Sequence, residues 1–384
     1  MPAPVHALDG LRVLSIGHTY PGLYCIAILR DLGAQVTRIE RLGEGTVDPK
    51  YAGLGGMIST ESLKRGTSEC RIDMKHPKGR GLFQRMARKA DVILEGFRPG
   101  VAGRLGIGYK TLARKNRKLV YAAISGYGQR GPWRLRPGHD LNYLAEAGVV
   151  NLSGAPGGPP ATEGVTVADY TAGLHAAINI LAAVQLRNRT RKGQFLDLAI
   201  VDGPLFLMAA EFEYLWRTGE SRGKGTTHFT GSHPWYGIYE TKDGRHLTLG
   251  AIEAGFYSNL CRLLGRPDLE KRRFGSKEEL AGARAAFVGA FRQKTLDEWT
   301  RHFDGQDVCL SPVLTTGEAA ASPLGARAIR PGAGKGAKLA RSPVRSPLPM
   351  LRPGRGSSRV LREYGFTTSE IRALQEGNAV GKDR

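Results

Sequence analysis

The sequence predicts an α/β protein: a doubly wound parallel sheet, with a smaller α+β region in the later part of the chain. Three observations carry this expectation. Residues 11–17 (LRVLSIG), 23–34 (LYCIAILRDLGA) and 35–41 (QVTRIER) read in turn as a buried strand, a helix-spaced stretch and an alternating strand, the β-α-β opening of a parallel sheet. The alternation returns at 76–90, an amphipathic helix, and at the apolar runs 91–97 and 118–128. The pattern then changes: a Gly/Thr-rich stretch at 222–234 is followed by Asp243 and Gly244 between two alternating runs, a hairpin signal.

Taken in order, Pro21 and Gly22 punctuate the turn after the first strand, and Gly33 stops the helix. The turn 17–22 (GHTYPG) is not GxGxxG, so the close backbone approach that a dinucleotide pyrophosphate needs is missing. Glu40 reads as an ordinary charge at a strand end. The loop 98–109 (RPGVAGRLGIGY) carries Arg98 and Arg104, and 125–129 (SGYGQ) carries Tyr127 and Gly128. Both follow strands, on the carboxyl edge where such sheets bind ligands. From Tyr170 a long apolar helix runs to a basic last turn, then come a strand within 191–203 and a second long helix over 204–219. The expected division is a large domain over 1–221, a linker at 222–234, a small α+β domain over 235–320, and a return segment over 321–384. Residues 321–358 are expected to be extended, with a helix starting at Thr368.

At 384 residues the chain can bury two cores, and no stretch approaches the 18 continuous apolar residues of a membrane span. Residues 1–10 lack the features of a secretory leader, and Cys25, Cys70, Cys261 and Cys309 lack metal-ligand or disulfide-frame spacing. These features lead us to expect reduced thiols, a cytoplasmic location and no metal. A formal net charge of +21, from 56 Lys+Arg against 35 Asp+Glu, favours an anionic partner. The basic residues are scattered through several segments (64–80, 85–89, 98–118, 187–192 and 327–355) with few aromatics between them, which argues against a stacking platform for single strands. A phosphorylated ligand is the first reading, and a basic nucleic-acid-binding protein on a degenerate enzyme fold is the remote alternative.

The chemistry-bearing residues gather in 137–170. His139 and Asp140 stand side by side after Pro137 and Gly138, and Asp169 precedes the long helix across a Gly/Pro-rich loop at 153–164. Each carboxylate has an ordinary explanation as a helix N-cap: Asp140 for a helix 141–148, Asp169 for 170–186, and Glu253 for the helix after the strand 246–252. Together they also offer two chemistries. An imidazole and a carboxylate on opposite faces of a carbon acid perform two-base proton transfer. A carboxylate at a helix start can instead attack an acyl carbon and form a mixed anhydride. Spacing leaves both open.

The strings LDGLRVL, DLGAQVTRIER, DVILEGFRPGVAGRLGIGY, AISGYGQRGPW, KGQFLDLAIVDG and DVCLSPVL resemble, in this order, the family III CoA-transferases (CaiB/BaiF), from Leu8 to about Val380. PGHDLNYLAEAG resembles the α-methylacyl-CoA racemase branch, because transferases generally lack a His at this point. The resemblance implies a Rossmann-like large domain with a smaller α+β domain, and an interlocked homodimer. It implies an acyl-CoA substrate, with coenzyme A as part of that substrate and no prosthetic group. His139 and Asp169 would be the acid/base pair, with Glu253 from the partner subunit orienting His139 and Asp140 and Tyr236 in support. The enolate oxygen would be held by amides of the helix after Asp169. Arg38, Arg65, Arg98 and Arg104 would take the CoA phosphates. The alternative is a CoA-transferase with Asp169 as nucleophile. The loop 164–169 (GVTVAD) lacks the asparagine usual in such racemases, which bears on acyl specificity.

Overall fold

The first strand, β1 (Arg12–Ile16), is buried over four of its five residues, as expected of a strand covered on both faces. A computed structural model describes residues 5–17, 19–42, 61–327 and 356–383. Helix α1 (Tyr20–Asp31) starts three residues ahead of the expected point. Thr19 is an extended N-cap, and Pro21 sits in the first turn, where its missing N–H costs nothing. The sheet continues with β2 (Gln35–Glu40), β3 (Ser68–Arg71), helix α2 (Pro77–Ala87), β4 (Val92–Glu95) and β5 (Val120–Ser125). It closes with helices α3 (Asp140–Glu146) and α4 (Val167–Thr190) and strand β6 (Phe195–Ala199). The order is β3-β2-β1-β4-β5-β6 with every pair parallel, so the direction of winding reverses between β1 and β4. β3 was not legible in sequence, because SECR carries two charges.

Helix α4 is by length and composition apolar enough to cross a bilayer. Here it packs on α1, β5 and β6, burying Ala172, Gly173, Ala176, Ala177, Ile180, Ala183 and Val184. A Cβ on Gly173 would lie 2.6 Å from Tyr24 Cβ and 2.9 Å from the Pro21 carbonyl oxygen, so this glycine lets the two helices touch.

The described residues fall into two compact units. The first takes in Met1–Ala147, Val165–Leu207 and Arg327–Arg384, and the second Gly148–Gly164 and Met208–Ala326. The boundary therefore falls at Leu207, not at 221. The helix expected over 204–219 is two helices, Asp202–Leu207 and Ala209–Thr218, because the chain changes unit at Met208, which is buried with its Cε near Gly148. Residues 222–234 are folded against the second unit: Arg222 pairs with Glu211 at 2.9 Å, and the Gly225 N–H donates to the Thr230 carbonyl at 3.0 Å.

In that unit β7 (Tyr236–Glu240), β8 (His246–Gly250) and β9 (Leu310–Pro312) form an antiparallel sheet, with Gly244 at φ +72° in the expected hairpin. Helices α5 (Ala254–Leu263), α6 (Lys277–Phe291) and α7 (Leu296–Phe303) cover it around Trp235, Tyr239, Phe287, Phe291 and Trp299. Both chain ends build the first unit, because helices α8 (Ser357–Glu363) and α9 (Thr368–Glu376) bury Val360, Leu361 and Ile371 in its core. The segment expected to be extended, 321–358, takes in the last residue of a helix, Thr316–Ala321, a 3-10 turn, Pro323–Arg327, and the first two residues of α8; residues 328–355 lie outside the described residues.

One buried charge stands out in this core. Glu95, 4% exposed at the end of β4, accepts the Phe97 N–H at 2.7 Å, and burial pushes its pKa up to about 7. A carboxyl group raised in the folded state keeps its proton while the unfolded chain releases its own. Stability is therefore full below the ordinary value of 4.5 and declines as pH rises toward 7. Glu95→Gln, whose amide oxygen can still accept the Phe97 N–H, is expected to be more stable than wild type at pH 8 by at most about 3 kcal/mol. The advantage should fade toward pH 4.5 in denaturant melts. A pH-independent difference would mean that the Glu95 carboxyl is not held at a raised pKa.

Candidate active site

At the carboxyl edge of the parallel sheet, the start of α3 and the start of α4 meet. His139 is the N-cap of α3 and is exposed. Its backbone N–H donates to Asn142 Oδ1 at 2.9 Å, and its carbonyl accepts the Asn142 N–H at 2.8 Å. The turn is anchored from beneath by Tyr143, which is buried and donates its hydroxyl to the Gly138 carbonyl at 2.8 Å. A side chain at 138 would collide with the Tyr143 ring at 2.8 Å, so Gly138 is required where it stands.

Asp140 does not cap its own helix, as the sequence suggested; it is the first helical residue. Its Oδ1 accepts the backbone N–H of Asp169 at 3.0 Å, so it caps α4 from outside. Asp169 is likewise no N-cap. Thr166 holds that position, and Asp169 is the third residue of α4. Burial, and then the charge of Asp140, raise the Asp169 pKa to about 7. Asp140, the chain neighbour of His139, is thus hydrogen-bonded to the Asp169 backbone, which brings the starts of α3 and α4 together. The amides expected to hold an enolate oxygen are not free. Asp169 gives its N–H to Asp140, and beyond it the Tyr170 N–H is already bonded to the Thr166 carbonyl.

The other candidates take different parts in the fold. Tyr127 donates to Glu146 at 2.5 Å, and its ring meets Tyr143 edge-on at 5.3 Å, so it braces α3. Burial and then Glu146 push its phenol up to about 12. Gly128, at φ +82°, packs against Asp197 of β6, whose Oδ1 accepts the Gln129 N–H at 2.8 Å. Tyr236 and Glu253 belong to the second unit. Tyr236 lies on β7 with its ring edge-on to Phe229 at 5.5 Å, and Glu253 is the exposed N-cap of α5 without a side-chain cap bond.

The four arginines divide. Arg38 is buried and bonded to Thr67 at 2.9 Å, to Glu69 at 3.2 Å and to Glu40. Arg65 is buried and pairs with both Asp31 oxygens at 3.1 Å. Their donors hold β2, β3 and α1 together, so these two do not present open guanidinium forks. Arg98 and Arg104 are exposed after β4, Arg98 in the connection and Arg104 at the end of the helical turn Val101–Arg104. That connection is fixed at the winding reversal. The Gly96 N–H donates to the Ile16 carbonyl at 3.1 Å, and a Cβ on Gly96 would stand 2.3 Å from the Gly17 oxygen. Burial first, and then the charges of Tyr127, Asp169 and Glu146, push the Tyr143 phenol up to about 12 against the opposing charge of Arg98, which is thereby within electrostatic reach of the site.

Sequence reading missed Tyr143 and Glu95. A charge closing the wholly buried run VILE was a visible signal for the second. Two hollows of about 370 Å³ each, one beside α2 and α9 and one beside α5, contain none of the candidate residues.

The family model for CoA-transferase family III matches residues 8–328. The α-methylacyl-CoA racemase of Mus musculus is 34% identical over 392 residues, covering 98% of this chain and 98% of that protein. The acetyl-CoA:oxalate CoA-transferase of Acetobacter aceti is 30% identical, covering 83% of this chain and 84% of that protein. A crystal structure of a CaiB/BaiF family protein from Brucella suis superposes with a TM-score of 0.80 at 25% identity, over 94% of this chain and 99% of that one. Both the sheet order and these alignments run through nearly the whole polypeptide, and the chain belongs to CoA-transferase family III.

Proposed function

We propose that the protein is an acyl-CoA epimerase that inverts the α-carbon of a 2-methylacyl-CoA or a related thioester. The observation that carries this reading is the meeting of the two helix starts, where Asp140, next to His139, accepts the Asp169 N–H at 3.0 Å and the pKa of the part-buried Asp169 carboxyl is raised to about 7. One group of the pair removes the α-proton, and its electron pair passes into the thioester carbonyl to give an enolate. The other group returns a proton to the opposite face. A carboxyl near pKa 7 exists in both protonation states at neutral pH, and imidazole is the other side chain suited to both roles there. Asp140 holds the Asp169 backbone while its charge disfavours ionisation of the Asp169 carboxyl, which is a tuning function. Arg98 and Arg104, which are exposed after β4, would meet the CoA phosphates. In this reading the functional unit is a homodimer in which Glu253 of the partner subunit approaches His139. Exposed apolar side chains such as Ile178, Phe206 and Trp216 favour a second copy.

The second reading is transfer of CoA between carboxylic acids through an Asp169 mixed anhydride, which the Acetobacter aceti relative favours. A carboxylate that is partly ionised at neutral pH serves a nucleophile and a base equally, so the preference rests on His139, a second acid/base group next to Asp140 for which the anhydride route has no use. Incubation of one 2-methylacyl-CoA epimer in deuterated water separates the two. An epimerase incorporates deuterium at the α-carbon with no acceptor acid present. A protein that incorporates none, yet moves CoA once an acceptor is added, is the transferase.

A further inference from the structure

The parallel sheet has a second edge, at the amino ends of its strands, and there the fold collects basic segments that the sequence scatters. Residues 88–91 (RKAD) precede β4, 114–118 (RKNRK) precede β5, and 187–192 (RNRTRK) precede β6. Because β4, β5 and β6 are neighbours, the three segments touch. The Val120 N–H donates to the Asp91 carbonyl at 3.0 Å, and the Gly193 N–H to the Arg117 carbonyl at 2.8 Å. Together they hold ten Lys or Arg against one acid, Asp91. Asp91 is engaged by Arg187 at 2.8 Å, and the nine other basic side chains are exposed; among the described residues none of the nine makes an ion pair.

Ordinary surface charge accounts for part of this. The carbonyl end of α4 favours cations in its last turn, which explains Arg187 and Arg189. It does not explain Arg191, which occupies a left-handed position at φ +61° just past α4. Glycine or asparagine is the usual residue there, and other side chains are disfavoured. A cation is kept where the backbone disfavours it, among neighbours that repel it.

We infer that this edge binds the sugar-phosphate backbone of duplex nucleic acid, without reading base sequence. The three segments contain no aromatic residue, so they form no stacking platform for single strands. They present no exposed apolar side chain to enter a bilayer. A helix C-terminus faces them, so no amide cradle for a lone phosphate exists. What remains is a row of long cationic side chains on helix ends and the connections after them, across three strands about 4.8 Å apart. A duplex presents one charge per about 1.7 Å of axis. The edge is opposite to the one that carries His139 and Asp169, and the inference does not depend on the epimerase reading.

The test uses the full chain and a 20-base-pair duplex of arbitrary sequence, followed by fluorescence anisotropy across a salt series. Neutralising about five phosphates gives a log–log salt slope near −4.5. Reversing Arg114, Lys118 and Arg189 to Glu should weaken binding more than about tenfold at 0.1 M salt and flatten the slope by about 3. Thermal melts and α-proton exchange should stay as in wild type. A control with Lys271, Arg272 and Lys277 reversed, exposed residues of the second unit, has the same net charge and should bind as wild type. Failure to bind the duplex at low salt overturns the inference, as does an equal loss in the control. Binding to phosphatidylserine vesicles but not to duplex overturns it in favour of a lipid surface.

Discussion

Replacing His139 by Ala is expected to slow epimerisation by about 10²- to 10⁴-fold, the usual contribution of one proton-transfer group, while α-proton exchange survives for one of the two epimers. The two directions of epimerisation must fall together, because the ratio of their kcat/KM values is fixed by the equilibrium between the epimers. Exchange is under no such constraint. Asp169 can still remove the α-proton of the epimer that presents it, trade it with solvent and return deuterium to the same face. The retained configuration would be visible by NMR of a single starting epimer in deuterated water. The substitution should not unfold the site. His139 caps α3 through its backbone N–H and carbonyl, which alanine keeps, and Gly138 and Tyr143 fix the turn independently. A transferase with Asp169 as nucleophile would largely tolerate the change and would show no α-exchange before or after it.

The fold was legible where hydrophobic periodicity was strong. β1, β4 and β5 read as strands because buried parallel strands need largely apolar runs, β2 read from its alternation, and the Asp243-Gly244 hairpin read from its turn residues. β3 escaped because Glu69 and Arg71 look like a surface segment; in the fold Glu69 instead meets Arg38 at 3.2 Å and Arg71 at 2.8 Å. Those are pairings between chemically ordinary residues, and no local pattern announces them. The same holds for the site. Position in the sequence grouped His139, Asp140 and Asp169 as candidates, but the capping roles it assigned were displaced, because a carboxylate can cap a helix other than its own. Arg38 and Arg65 were expected to meet phosphates on residue type, and residue type does not reveal that Asp31 and Glu69 already hold them. The scattered basic segments illustrate the reverse. Apart in sequence, they become one edge once strand order is known.

Asp169→Asn is the variant whose two effects should run in opposite directions. Activity should fall by about 10³-fold or more, since the amide neither takes nor gives the proton. Stability should rise. The Asp169 carboxyl titrates near 7 in the fold against an ordinary 3.8, so at pH 8 the folded protein carries a partly buried charge beside Asp140 that the unfolded chain solvates freely. For an acid raised in the folded state, stability is complete below 3.8 and is lost as pH climbs through 7. The gain on removing the charge is at most about 4 kcal/mol above pH 7 and vanishes toward pH 4. Denaturant midpoints at pH 5 and pH 8 would measure it. An active Asp169→Asn enzyme would remove the carboxyl from the mechanism. An inactive but less stable one would mean that the carboxyl is held at a lowered pKa, poised as a nucleophile. The companion result comes from the exchange experiment. With Asp169 neutral, His139 should still wash deuterium into the epimer opposite to the one that His139→Ala leaves exchangeable. Complementary exchange of this kind requires two groups on opposite faces of one carbon, and a site with a single base serving both faces cannot produce it.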